Sequence, residues 1–154
     1  MNILFKEKQR VDSLWPLSIT AVVLAMNWFL YFRMGYNDMI FFYICMIIVG
    51  SMSLFLSMLR LETEINDKSI NYKFYPFYRK WQTIPLSQIA KAEVRQYNAY
   101  KEFGGRGNRN KKNINALTLN GNQGIELFLK SKKIILIGTK NPDEIKQAIT
   151  KLKL

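Results

Sequence analysis

Two uncharged apolar runs dominate the hydrophobic pattern of this chain. Leu14–Phe32 lies between Asp12 and Arg33, and Met39–Leu59 lies between Asp38 and Arg60. At about 1.5 Å rise per residue, each run predicts a helix of roughly 30 Å, the thickness of a bilayer's hydrocarbon core. The pattern therefore predicts a two-helix transmembrane hairpin over 14–59, with spans 14–32 and 39–59. A short basic tail, 1–13, precedes it and a polar domain, 60–154, follows. The first run is longer than a signal-peptide core and no small-x-small cleavage site follows it, which points to an uncleaved anchor.

Polar and small residues inside the runs refine this picture. Asn27 is costly in lipid and is expected to face the partner helix or to sit toward the membrane interface. Ala21 and Ala25, with Gly50, Ser53 and Ser57, have the spacing that lets two helices approach. Trp15, Trp28, Tyr31 and Tyr36 fall where aromatic residues favour headgroup level.

After Arg60 the period changes to two. Leu61, Thr63 and Ile65 alternate with Glu62 and Glu64; after Asn66-Asp67-Lys68, Ile70, Tyr72 and Phe74 alternate with Asn71 and Lys73. This predicts a β-hairpin with Glu62 or Glu64 near Lys73. Pro76 ends the second strand or marks an edge. Of the aromatic run Tyr72–Trp81, Tyr72 and Phe74 read as core. Residues 84–89 read as a turn or a single helical turn. Ala90–Tyr97 reads as a strand with Ala90, Ala92 and Val94 on one face. Asn98–Asn113 is the least regular stretch. Ile114–Leu119, Gly124–Lys130 and Lys133–Thr139 give three more strands, with hairpin turns at Asn120-Gly121 and Ser131-Lys132. A last helix starts at Asn141-Pro142-Asp143-Glu144, which has a capping pattern, and places Ile145, Ala148, Ile149 and Leu152 on one face.

Composition narrows the chemistry. The net charge is +12, and after residue 59 there are 19 Lys/Arg against 8 Asp/Glu. Such a surface suits anionic partners. There is no histidine, so the commonest general base and metal ligand is absent. The single cysteine, Cys45, lies in the second apolar run and can form no intramolecular disulfide. Glu62, Glu64, Glu93 and Glu126 fall on alternating strand positions with no nucleophile or metal-ligand spacing beside them. The reading is of a non-enzymatic protein with no cofactor and no metal site.

Three segments together resemble the bacterial PH-like domain family, whose relevant members are small membrane proteins with two spanning helices before the domain. They are Phe103-Gly104-Gly105 with Arg109, Gly124-Ile125-Glu126-Leu127, and Ile135-Leu136-Ile137-Gly138-Thr139 running into Pro142-Asp143-Glu144. The resemblance covers roughly 61–152; Arg106 stands where the family pattern has an aromatic residue. It implies an α+β PH-like domain: about seven antiparallel strands in a bent sheet or partial barrel, closed by a C-terminal helix. With the Lys/Arg bias, it implies a multi-pass protein of the bacterial inner membrane with both termini cytoplasmic and the loop 33–38 outside.

The candidate site is the basic, glycine-containing loop: Lys101, Gly104, Gly105, Arg106, Arg109, Lys111 and Lys112. Glycines let backbone N–H groups converge on an anion, and the flanking cations add charge. The loop matches neither the P-loop pattern nor the dinucleotide fingerprint. The expected function is a membrane-anchored PH-like module that mediates protein–protein interaction or assembly at the cytoplasmic membrane surface. Its partners would be the lipids around the hairpin and a membrane protein or a second copy of the chain, with nucleic acid disfavoured. The alternative is binding of an anionic lipid headgroup or phosphate by the basic loop.

Overall fold

The computed structural model describes residues 2–11, 14–34 and 39–152, with the side chains of 14–17, 34, 39, 41 and 42 excepted. The chain forms two compact units. One comprises residues 1–10 and 60–154, the other residues 11–59.

The helical unit contains α1 (Leu14–Met34) and α2 (Met39–Met58), at the positions the apolar runs predict. Among the described residues, however, no helix is long and apolar enough to cross a membrane. Spanning takes about 20 consecutive apolar residues. The described side chains of α1 run from Ser18 to Arg33 and include Thr20 and Asn27. Those of α2 run from Tyr43 to Met58, with Ile40 ahead of them, and include Gly50, Ser51, Ser53 and Ser57. The transmembrane hairpin is thus corrected to a pair of α-helices. The membrane localisation, the lipid contacts of the hairpin and the assigned sidedness of the termini go with it.

Three polar side chains of these helices, Asn27, Ser51 and Ser57, turn back on their own backbones. The Asn27 side-chain amide donates to the Val23 carbonyl at 2.8 Å, not to the other helix. Ser51 and Ser57 donate to Ile48 and Ser53. A Cβ at Gly50 would meet nothing within 4 Å, so no close approach occurs there. Trp28 contacts Tyr31 and Phe32. Much of the apolar surface is exposed, with Val22 at 66% and Ile40 at 78%. The side chain of Trp15, the whole of Tyr36 and most of the loop expected at 33–38 lie outside the described residues.

The β-rich unit begins where a tail was expected. Residues Ile3–Arg10 form β1, with Phe5, Glu7 and Gln9 buried on one face. β1 pairs antiparallel with β2 (Arg60–Asn66), so that Arg10 stands opposite Arg60 and the helical unit is inserted between two neighbouring strands. β2 pairs with β3 (Ser69–Tyr75), and β3 with β4 (Gln82–Pro85). Asn66 makes the β2–β3 turn: its Oδ1 accepts from the N–H groups of Lys68 and Ser69. Glu62 does stand opposite Lys73, but its carboxylate pairs with Lys8 on β1, as Glu64 pairs with Lys6. Leu61, Ile65, Ile70 and Phe74 are fully buried. Each contributes about 1.5–3 kcal/mol relative to exposure.

A single 3-10 turn, Leu86–Gln88, leads to the second sheet. Its strands are β5 (Ile89–Gln96), β6 (Gly107–Lys111), β7 (Ile114–Thr118), β8 (Gln123–Leu129) and β9 (Ile134–Thr139). Their order is β5-β8-β9-β7-β6, and β7 runs parallel to β9. A bulge between Ile89 and Lys91 shifts the burial of β5, so Ile89 and Ala92 are buried and Ala90 is exposed. The Asn120-Gly121 turn, with Gly121 at φ 76, does not close a hairpin. β9 intervenes between β7 and β8, and the chain crosses over instead. The Ser131-Lys132 turn does close the β8–β9 hairpin. The expected bent sheet of seven antiparallel strands is therefore corrected. The described residues form an α+β fold of two sheets, of four and five strands, with a parallel pair in the second.

α4 (Pro142–Lys151) buries Ile145, Ala148 and Ile149, as its spacing predicts, and touches β1, β5 and β8, bridging the two sheets. The Asn141 side chain does not cap it; the Asn141 N–H donates instead to the Thr139 hydroxyl. Glu7 locks β1 to the same corner. Its carboxylate accepts from the Thr139 hydroxyl at 2.6 Å and from the Lys140 N–H at 2.8 Å. The Gln9 amide donates to the Gly138 carbonyl at 2.8 Å.

Candidate functional site

The segment read as an irregular basic loop is ordered secondary structure. Asn98 opens a short helix, α3 (Ala99–Phe103), by accepting from the N–H groups of Tyr100 and Lys101. A side-chain cap of this kind contributes about 1 kcal/mol. Glu102 returns the favour by accepting from the Asn98 N–H at 2.7 Å. Gly104, at φ 73, ends the helix. Its N–H donates to the Tyr100 carbonyl, the single bond of a left-handed helix stop, and the Gly105 N–H donates to the Ala99 carbonyl. These two amides are therefore spent on the helix, and an anion cradle built on them does not form.

α3 lies on one face of the second sheet. Phe103 and Ala99 pack with Tyr97, Ala116, Leu136 and Ile114. Gly124 and Gly138 face each other across β8 and β9 and leave the hollow that holds the Tyr97 ring. A Cβ on Gly138 would lie 2.8 Å from the Tyr97 hydroxyl, and one on Gly124 would lie 3.1 Å from its ring. Tyr97 is 3% exposed and its hydroxyl has no hydrogen-bond partner among the described residues. Burial pushes its pKa up to about 12, against the opposing pull of Arg106.

An ion-pair network ties α3 down. Arg95 on β5 grips Glu126 on β8 with two bonds, Nε to Oε2 at 2.8 Å and Nη2 to Oε1 at 3.1 Å. Its Nη1 reaches Glu102 at 2.9 Å. The bond to Glu126 raises the Arg95 pKa against the lowering effect of burial, with Glu102 assisting. Burial pushes the Glu102 carboxyl up, but the Asn98 N–H, Arg95 and Lys111 together hold it below its ordinary value.

The seven candidate residues divide into two groups. Period two puts Arg109 and Lys111 on one face of β6, opposite Ala116 and Ile114, and hence on the side that α3 occupies. The Lys111 ammonium donates to the Glu102 carbonyl at 2.9 Å. The Arg109 guanidinium lies 3.3 Å from where a Gly105 Cβ would stand. With Gly104 and Gly105, these residues build the α3–β6 corner. Lys101, Arg106 and Lys112 are exposed, and among the described residues their side chains make no hydrogen bond or ion pair. Lys112, at φ 53, sits in the tight β6–β7 turn.

A cleft of about 310 Å³ opens beside this corner, between the end of β5, the start of α3 and the turn before β8. Gln96, Tyr97, Tyr100, Arg106, Gly121 and Asn122 line it. Of these, the sequence reading named only Arg106 as a site residue. The signals for the rest were the Asn98-to-Glu102 spacing of a capped helix, passed over within the stretch taken as least regular, and the Asn120-Gly121 turn, which was read for backbone shape alone. No cluster of His, Cys, Asp and Glu that would hold a metal occurs among the described residues.

Comparison of the chain with family models, with curated proteins and with solved structures found no match in any of the three.

Proposed function

We propose that the chain is a non-enzymatic interaction module that engages an acidic surface of a partner protein through the α3–β6 corner. One observation carries this reading. Among the described residues, β6 is the edge strand of its sheet, paired only with β7, and beside it Lys101, Arg106 and Lys112 present positive charge that no described residue neutralises. An edge strand offers unpaired backbone groups, and charge complementarity sets which partner it accepts. Phosphate or headgroup binding is the second reading. It is less favoured, because the Gly104 and Gly105 amides already serve α3.

The test is a triple variant, Lys101→Ala with Arg106→Ala and Lys112→Ala. None of the three side chains holds the fold together, so the melting temperature is expected to stay within a few degrees. Recovery of crosslinked partners from cells carrying the full chain should fall several-fold. Unchanged recovery would remove the corner from the function.

A further inference from the structure

We propose that the cleft beside α3 is a carboxylate-binding subsite, with Arg106 as its fork, that receives an aspartate or glutamate side chain of the partner. The inference rests on the interaction reading above and names the chemistry that the corner selects.

The cleft combines features that an isolated surface arginine lacks. Arg106 brings the planar guanidinium that binds carboxylates with two parallel N–H bonds. The side-chain amides of Gln96 and Asn122, which also line the cleft, make no bond elsewhere among the described residues. Two rings, Tyr97 and the 70%-exposed Tyr100, form apolar wall for the methylenes of an acidic side chain. The helix start contributes no donor, since the Tyr100 and Lys101 amides are held by Asn98.

Charge selects among anions. Arg106 is the only cation lining the cleft. Arg95, a short way along β5, is neutralised by Glu126 and Glu102. One uncommitted positive charge, with the Glu102 carboxylate nearby, matches a monoanion better than a phosphate dianion. The volume, at the low end for ligand pockets, suits one side chain.

The test titrates isotope-labelled full-length protein with butyrate, a monocarboxylate, and, separately, with inorganic phosphate, following backbone amide resonances. Butyrate is expected to shift Tyr97, Tyr100, Gly121 and Asn122 saturably. Arg106→Gln should weaken that binding at least tenfold. Arg106→Lys should weaken it nearly as much, because the fork is lost while the charge stays. Lys133→Gln, at an exposed position on the β8–β9 turn, should leave it unchanged. The assignment is overturned by the absence of saturable shifts, by shifts that survive Arg106→Gln, or by phosphate saturating the same resonances at lower concentration. If butyrate fails while the triple variant still loses its crosslinked partner, the subsite falls and the interaction reading stands. If butyrate binds as expected and crosslinking is unaffected, the reverse holds.

Discussion

The Tyr97 hydroxyl lies over Gly138, at 2.8 Å from the position a Cβ would take. The ring is seated because β8 and β9 each carry a glycine at the same register position, and that seat positions the first residues of α3. Gly138→Ala is expected to destabilise the β-rich unit by about 1–3 kcal/mol through overpacking. Gly124→Ala should cost more, since its methyl would meet the Ile137 carbonyl at 2.7 Å, a backbone atom that cannot swing aside. Thermal unfolding of the two variants gives the order. Combining Gly138→Ala with Tyr97→Phe should recover part of the loss, and strict additivity would refute the contact.

Tyr97→Phe alone should be neutral or stabilising. The hydroxyl is buried without a partner, and such a group costs about 1–3 kcal/mol. The same substitution changes the alkaline limb of stability. A tyrosine ionises near 10 in the unfolded chain but at about 12 here, so the folded form holds its proton longer and stability falls as pH rises above 10. Tyr72 is also raised, by burial first and by Tyr78 second. Tyr97→Phe should therefore flatten the denaturant midpoint between pH 10 and 12 in part, with Tyr72 supplying the remainder.

Glu102 acts on the acid side. Its carboxyl is held below the ordinary 4.5, so its contribution is complete above that value and disappears as pH falls through the lower folded value. Protection of the Tyr100 and Lys101 amides, relative to the intrinsic exchange rate at each pH, should fall on acidification below about pH 4.5. In Glu102→Gln the protection should already be lower at pH 7 and should change less with pH.

Much of this corner was open to reading from the sequence and was read differently. Alternation found β2 and β3, where every second side chain is buried over most of the strand; β8 and β9 were also read as strands, although each buries four residues in succession. It missed β1, where the inward positions after Phe5 are Glu7 and Gln9; their burial is made tolerable by Thr139, Lys140 and Gly138, residues far along the chain. No local pattern announces that. The Asn-Gly dipeptide at 120–121 marks a turn correctly, but which strands flank it in space is decided by the parallel β7–β9 pairing. The two apolar runs were legible as helices, whereas their assignment to a membrane did not survive. Glycine spacing and charge picked out the seven candidate residues as one segment, and the structure divides them between the α3–β6 corner and its exposed cations. What they could not separate is the cation that props a helix, Lys111, from the cation left over, Arg106.

Arg95 makes a further prediction. Arg95→Ala leaves Glu126, whose side chain is 9% exposed, without its counter-ion. Breaking a buried pair in this way costs about 3–5 kcal/mol. Arg95→Lys should rescue little, since one ammonium cannot reproduce bonds to two carboxylates. Urea unfolding of the two variants measures the difference, and a loss below about 1 kcal/mol in Arg95→Ala would show the network to be ornamental.

Glu7→Ala tests the strand that joins the sheets. It strands the Thr139 hydroxyl and the Lys140 N–H, and an expected loss of about 1–3 kcal/mol should appear in urea midpoints. Glu7→Gln keeps one acceptor oxygen and should fall between.

Because Arg10 and Arg60 are cross-strand partners, the ends left by excising residues 11–59 are already neighbours. A gene joining β1 to β2 through a two-residue Asn-Gly link would encode a continuous meander in place of an interrupted one. Closing a short connection costs less entropy than closing a long one, by about 0.6 kcal/mol per halving of its length. The shortened chain should therefore fold faster than its parent. Refolding of the shortened chain to the same β-sheet amide resonances, at a rate followed by stopped-flow fluorescence, would show the two helices to be a graft on a scaffold that folds without them.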